Sequence, residues 1–475
     1  MRTILVGLVL LRAASASAAE PHRSFFDLPS SNGWGAVVLD LQQARVHHWR
    51  DHLFATEEPR WDAAGVEVWS GGLPQAVPSR DLLFDAYFGV RVDGEQRWLT
   101  DLPVDLDASG WLPGTNVVQM VQSLGDLRLT TWAWAPWGLE RSAMALALEV
   151  QNVGSAATGG ISVFSIQNLH LGEGRPGPTQ EIGAQNETIS VDGATRRMQE
   201  RGFAGVIATA PLREPVSASV WYPGASGPNP WEVVNGGGST DLVGVAGDQG
   251  VHDDSVAYYQ WNSGALGVGE TGRFGLVMAH HGDPFAYAAA SADVDTWIGG
   301  RTIEAILTAE RTSWQAFQDG LSVPVNLTPD EEALYRHSAV VLRMAQVRET
   351  QAYLRQWLST DGEPRWTGSG AQLPAMVQHA AAGGVLASLP PGQWTYAWPR
   401  DGAYAIVGMS WAGMQQEARA VLEYLLDADT DRYRGYDELA GVPIAPYAIS
   451  LCRHHGFGVE ESDTLGDGDF NFKRL

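Results

Sequence analysis

The sequence predicts a two-part chain: a large antiparallel β-sandwich followed by an α-helical part built of paired helices. Three observations carry this. From about residue 30 to 290, short apolar runs alternate with period two between Gly/Pro-rich turns. Near residue 293 the apolar spacing becomes helical. Beyond residue 400, two helical stretches meet at a single glycine, Gly413.

The strands come first. Met144, Leu146, Leu148 and Val150 alternate with Ala145, Ala147 and Glu149, and Leu127, Leu129 and Thr131 alternate with Arg128, Thr130 and Trp132. Further runs lie at 35–39, 83–90, 117–121, 161–166 and 274–278, separated by turn clusters at 152–154 and 223–229. Many short strands with such turns imply a sandwich or barrel. The glycines at 235–239 lack the lysine and strand-to-helix setting of a phosphate loop, so a hairpin loop is expected there.

The helices follow. Over 291–323 a linker helix is expected, with Ile303, Ile306, Leu307, Trp314 and Phe317 on its apolar face and Gly320 at its end. Thr328, Pro329 and Glu331 spell a capping box that opens the next helix, whose buried stripe is read as Leu334, Val341, Leu342 and Ala345. Residues 401–411 should bury Ala403, Ile406, Val407 and Trp411. Residues 415–427 should bury Ala418, Val421, Leu422 and Leu425.

Composition narrows the function. The 475-residue chain carries a formal charge of −24, which repels phosphate backbones and argues against nucleic acid. Residues 1–19 read as a secretory signal: Arg2, an apolar run from Ile4 to Leu11, then small residues to Ala19. A secreted or periplasmic location follows. No later segment has the roughly 20 apolar residues of a membrane span. The single cysteine, Cys452, permits no internal disulfide and no cysteine-based metal site. The 19 tryptophans and 13 tyrosines suit flat contacts to sugars, although most of them fill cores.

The run Tyr-Ala-Trp-Pro-Arg-Asp-Gly-Ala-Tyr at 396–404 resembles the substrate-binding signature of glycoside hydrolase family 15, the glucoamylase type. The segment Gly-Val-Leu-Ala-Ser at 384–388 is similar to the apolar stretch that precedes it. Residues 334–344 resemble the first barrel helix, and 31–36 and 143–154 resemble the sandwich of bacterial members. The resemblance implies an (α/α)6 barrel after the sandwich and inverting exo-hydrolysis of α-glucosidic bonds at non-reducing ends. Arg400 and Asp401 would then clamp the terminal sugar, with Tyr396 and Trp398 beside them and an α-glucan or maltooligosaccharide as partner. On residue chemistry alone, an Arg–Asp pair equally suits an ion pair between helices.

Twelve barrel helices need far more than residues 324–475, at about 11–12 residues each plus connections. The expected organisation is therefore a signal peptide at 1–19, a sandwich at 21–290, a linker helix at 291–323, and the start of a barrel at 324–475. An inverting glycosidase needs an acid and a base about 6.5–9.5 Å apart. No segment matches either, and Glu460-Glu461 aligns with neither position. The catalytic residues stay unknown, and this chain is expected to be nearly inactive. A non-catalytic carbohydrate-binding protein is the alternative, and a disaccharide phosphorylase a weaker one.

No cofactor or metal is implied. Asp427, Asp429, Asp431 and Glu438 have calcium-loop spacing, but Arg432 stands where the loop needs glycine. His47-His48 and His454-His455 are adjacent pairs, expected to point apart.

Overall fold

A computed structural model describes residues 27–52, 81–172, 186–202, 204–225, 229–235, 241–350, 353–356, 376–379, 382–391, 397 and 399–426. The signal segment, the calcium-loop pattern, Cys452, His454-His455 and Glu460-Glu461 lie outside these residues.

The chain begins with four antiparallel strands: β1 (Asp27–Ser31), β2 (Ala36–Asp40), β3 (Arg45–Arg50) and β4 (Leu83–Val92). They form one side of an eight-stranded sheet. It continues through Gly160–Leu169 and Val256–Ala265 to Ser217–Trp221, with Glu95–Trp98 also paired to β4. A nine-stranded sheet faces it, with Met198–Gly202, Gly205–Pro211, Thr271–His281, Ala143–Asn152 and Leu127–Trp134 at its centre. The shared core takes Leu39, Val46, Phe88, Val163 and Trp261 from the first sheet, and Met144, Leu146, Leu148, Phe274 and Leu276 from the second. This is the expected sandwich, with side chains from the two inner faces filling one apolar layer.

The outer faces are covered too. Helix α1 (Pro230–Asn235) sets Val233 and Val234 against Tyr87, Trp98, Phe164 and Tyr258. Helices α2 (Tyr287–Ile298) and α3 (Ile303–Asp319) cover the nine-stranded sheet. Val294, Trp297, Ile303, Ile306 and Leu307 meet Ala143, Ala145, Ala147, Val277 and Ala279. The period-two pattern at 143–150 therefore sorts by size. Large side chains face the partner sheet, and alanines face the helices, where a small side chain lets a helix lie close.

The single linker helix is corrected to two. Gly299 and Gly300 both adopt positive φ (55° and 68°), a conformation that glycine reaches without strain, and they end α2 before Thr302 caps α3.

Helix α4 (Pro329–Met344) opens with the expected capping box: Thr328 Oγ1 accepts from Glu331 N, and Glu331 Oε2 accepts from Thr328 N at 2.8 Å. Ala339, Val340 and Met344 are buried; of the expected stripe, Ala345 is buried and Val341 and Leu342 are half-buried against the core, whereas Leu334 is exposed.

Helices α5 (Pro399–Trp411) and α6 (Gln415–Leu426) make the expected hairpin. Gly413 (φ 84°) closes α5, with Met414 N donating to Met409 O at 2.8 Å. A Cβ on Gly402 would come within 3.3 Å of Leu425, so the first turn of α5 lies against the last turn of α6. The buried face of α5 is Gly402, Ala405 and Met409, continued by Ala412 in the turn, with the expected Ile406 half-buried against the same core. Val407 and Trp411, expected inside, are exposed, as are Ala403 and Tyr404. On α6, Ala418, Val421 and Leu425 are buried as expected with Tyr424, whereas Leu422 is exposed. Helices α4, α5 and α6 share a small core. The described helices are this group, the pair on the nine-stranded sheet and α1 on the other sheet, and they do not close a barrel. No helix among the described residues is long and apolar enough to cross a membrane.

Candidate functional site

Arg400 and Asp401 stand in the first turn of α5, behind Pro399. Proline suits that position because its ring fixes a helical φ and its missing N–H has no partner to lose. Asp401 gains from the positive end of the helix dipole. Arg400 Nη2 lies 3.4 Å from Asp401 Oδ2, and the side chains are 57% and 38% exposed. The pair is therefore not a sealed ion pair between helices. Tyr396 and Trp398 lie outside the described residues.

A continuous path of main-chain contacts ties this turn to the sandwich. Ala397 bridges Leu386. Leu386 N donates to Ala345 O at 3.0 Å, and Val347 N donates to Gly384 O at 2.8 Å. Arg348 N donates to Gly33 O at 2.7 Å. The segments 31–36 and 384–388, singled out in the sequence, are thus structural supports for the α5 start.

Asn32 anchors the sandwich end of that path. It is wholly buried, and Nδ2 donates to the carbonyls of Pro136, Leu139 and Arg141 at 2.8–3.0 Å. Oδ1 accepts from Trp34 N and Gly35 N at 3.0 and 3.1 Å. Every donor and acceptor of consequence on this amide is used, which fixes the turn that receives Arg348.

A cavity of about 740 Å³ lies at the sandwich–helix junction, lined in part by Trp34, Glu140, Asp293, Trp297, Arg301 and Glu310. None of its lining residues belongs to α5 or α6. Glu310 accepts from Trp137 N and Trp314 Nε1, both at 3.1 Å. Burial nonetheless raises its pKa to about 7. Such a group can hold or release a proton near neutrality, yet its oxygens are already engaged with amide and indole N–H groups. Glu310 is not among the residues singled out from the sequence, although its spacing carries a readable signal. It occupies a core position of α3, in step with Ile303, Ile306, Leu307 and Trp314.

Three other carboxyls are raised by burial: Asp85 to about 6, Glu187 to about 7, and Glu200 well above its ordinary value. All three belong to sandwich strands.

No family model matches the sequence. No curated protein matches it either. Among solved structures, a bacterial glucoamylase complexed with acarbose is similar at 10% identity and a TM-score of 0.49, covering 84% of this chain and 49% of that one. A putative kojibiose phosphorylase from the human microbiome has 6% identity and a TM-score of 0.45, covering 92% and 50%. A family 92 glycosyl hydrolase has 13% identity and a TM-score of 0.37, covering 76% and 42%. The chain spans about half the length of the first two.

Proposed function

We propose that this chain is a glucoamylase-like glycoside hydrolase module, exported from the cytoplasm, that holds the non-reducing end of an α-glucan or maltooligosaccharide. Arg400 and Asp401 make the polar clamp, and Tyr396 and Trp398 supply flat contacts to the sugar. The observation that carries this reading is the pair's exposure at the start of α5, within a sequence run that resembles a sugar-binding signature. A guanidinium and a carboxylate side by side offer fixed donors and acceptors to neighbouring hydroxyls. The reaction class is inverting hydrolysis, in which one carboxyl protonates the leaving oxygen and another activates water.

A second reading, sugar binding without turnover, has its own support. The carboxyls that burial raises, Asp85, Glu187, Glu200 and Glu310, stand on sandwich strands and on α3, away from the Arg400–Asp401 pair. The chain is then a binding module with little hydrolysis of its own.

Calorimetric titration with maltotriose, together with glucose release from maltose, maltooligosaccharides and trehalose, separates the two. Asp401→Ala and Arg400→Ala should each weaken maltotriose binding about tenfold or more with the melting temperature unchanged. Unaltered binding in both variants would remove the clamp assignment. Binding without glucose release selects the second reading.

A further inference from the structure

Strands β1, β2 and β3 bring Asp27, Asp40 and His47 to one place, with one ligand-capable atom of each within 4.8 Å of the others. Asp27 and Asp40 are direct partners across β1 and β2, so their side chains share a face. His47 joins them through a β-bulge. Val38 pairs with His48 and Leu39 with Val46, which leaves His47 as the extra residue. A bulge breaks the in-and-out alternation and can re-aim a side chain. Accordingly, the rings of His47 and His48, expected to point apart, lie with centroids 4.3 Å apart.

We propose that Asp27, Asp40 and His47 bind a divalent transition-metal cation of the zinc type, which staples the edge strand β1 to β2 and β3. The ligand atoms are poorly satisfied otherwise. His47 is only 8% exposed, and its Nε2 has no hydrogen-bond partner. Asp27 Oδ1 is likewise buried without one. These two atoms stand 3.2 Å apart, close enough for an ion pair but not aligned as a hydrogen bond. Two ligands at that separation, each about 2.1 Å from a common ion, subtend an angle of about 100°, between octahedral and tetrahedral values.

The surroundings suit a metal. Asp40 is buried, and its Oδ1 accepts from Gln42 N and Gln43 N at 2.8 and 3.1 Å, which fixes the carboxylate while its second oxygen carries no such load. Arg45, opposite Asp40 on β3, is engaged with Asp85 at 3.3 Å. Two carboxylates and a neutral imidazole therefore present two negative charges to a dication. The imidazole favours zinc over calcium and magnesium, which prefer all-oxygen ligand sets. Water fills the remaining coordination positions.

The test uses the tag-free full chain, stripped with EDTA and titrated with zinc chloride. One equivalent of zinc should bind, raise the melting temperature and slow hydrogen exchange in β1, and calcium should do none of these. His47→Ala and Asp27→Asn should each weaken zinc binding about tenfold or more, with the far-UV dichroism of the apo protein unchanged. X-ray absorption of the zinc-loaded native chain avoids reliance on variants that fold poorly. It should show one nitrogen ligand among oxygens. The proposal is overturned by a stripped chain that binds no zinc, by binding that survives both substitutions, or by a zinc shell with no imidazole or several.

Discussion

The Arg348 guanidinium lies against the indole of Trp137, 4.2 Å from the ring centroid, and its Nη1 donates to the carbonyls of both Trp137 and Asn32 at 3.0 Å. Arg343 approaches the same indole at 4.4 Å. One tryptophan of the sandwich thus receives cations from α4 and from the segment just after it, and the helical part is seated on this contact.

Arg348→Ala should destabilise the chain by about 2–4 kcal/mol. Charge-assisted hydrogen bonds contribute roughly 1.5–3 kcal/mol and a desolvated cation–π contact about 2, and the terms are not additive. Arg348→Lys should recover less than half. A compact ammonium has no flat face to lay on the indole, and it cannot keep the guanidinium's geometry to two carbonyls. Urea unfolding followed by tryptophan fluorescence measures this, and full rescue by lysine would contradict it.

Asn32→Ala should cost about 2–3 kcal/mol, because the amides of Trp34 and Gly35 lose their acceptor and the carbonyls of Pro136, Leu139 and Arg141 lose a donor, although the first two carbonyls keep Leu139 N and Arg141 N. Asn32→Asp should be no better. A carboxylate keeps the acceptors for Trp34 N and Gly35 N but turns a negative charge on the three carbonyls. The comparison is made by thermal and urea unfolding at pH 7.

The strands were legible because alternation is a strong local signal. Residues 143–150 read correctly even though both faces proved buried. The helix faces were less legible, for a physical reason. Where α5 lies against α6, close approach selects Gly402, Ala405 and Ala412, while the larger Tyr404, Val407 and Trp411 stay outside. Ranking residues by hydrophobicity favours the wrong side of such a helix. His47 was misread because a bulge is set by pairing between strands, which a single strand's sequence does not carry. The motif singles out Arg400 and Asp401 as candidates, and their place at a helix start follows from Pro399.

The misread face of α5 makes a sharp comparison. Trp411 is 79% exposed, so Trp411→Ser should change stability by no more than about 0.5 kcal/mol and should reduce binding of a hydrophobic dye. Met409 is fully buried in the core shared with α4 and α6, so Met409→Ala should cost about 2–4 kcal/mol. If the tryptophan substitution proved the costlier, the burial assigned to α5 would be reversed.

Glu310 should contribute a falling component to the stability profile between about pH 4.5 and above 7, opposed over the lower part of that range by His280, His281 and His337, which burial holds below their ordinary pKa. Its folded pKa is raised to about 7 by burial, against 4.5 when unfolded. The folded chain therefore holds a proton that the unfolded chain releases. Stability from this group is complete below pH 4.5 and is lost as pH climbs through 7. At about 1.4 kcal/mol per pKa unit, the loss by pH 8 is roughly 3 kcal/mol. Glu310→Gln keeps a neutral acceptor for Trp137 N and Trp314 Nε1 without the ionisation. The variant should match the native chain at pH 4.5 and exceed it by roughly 1–3 kcal/mol at pH 8. The variant's profile should keep the contributions of Asp85, Glu187 and Glu200, raised in the same direction, and of the buried histidines, which act in the opposite one, so the difference between the two profiles isolates Glu310. Urea unfolding at half-unit steps from pH 4.5 to 8.5 resolves both components. Parallel profiles for the two proteins would mean that Glu310 is ionised in the folded chain across the whole range.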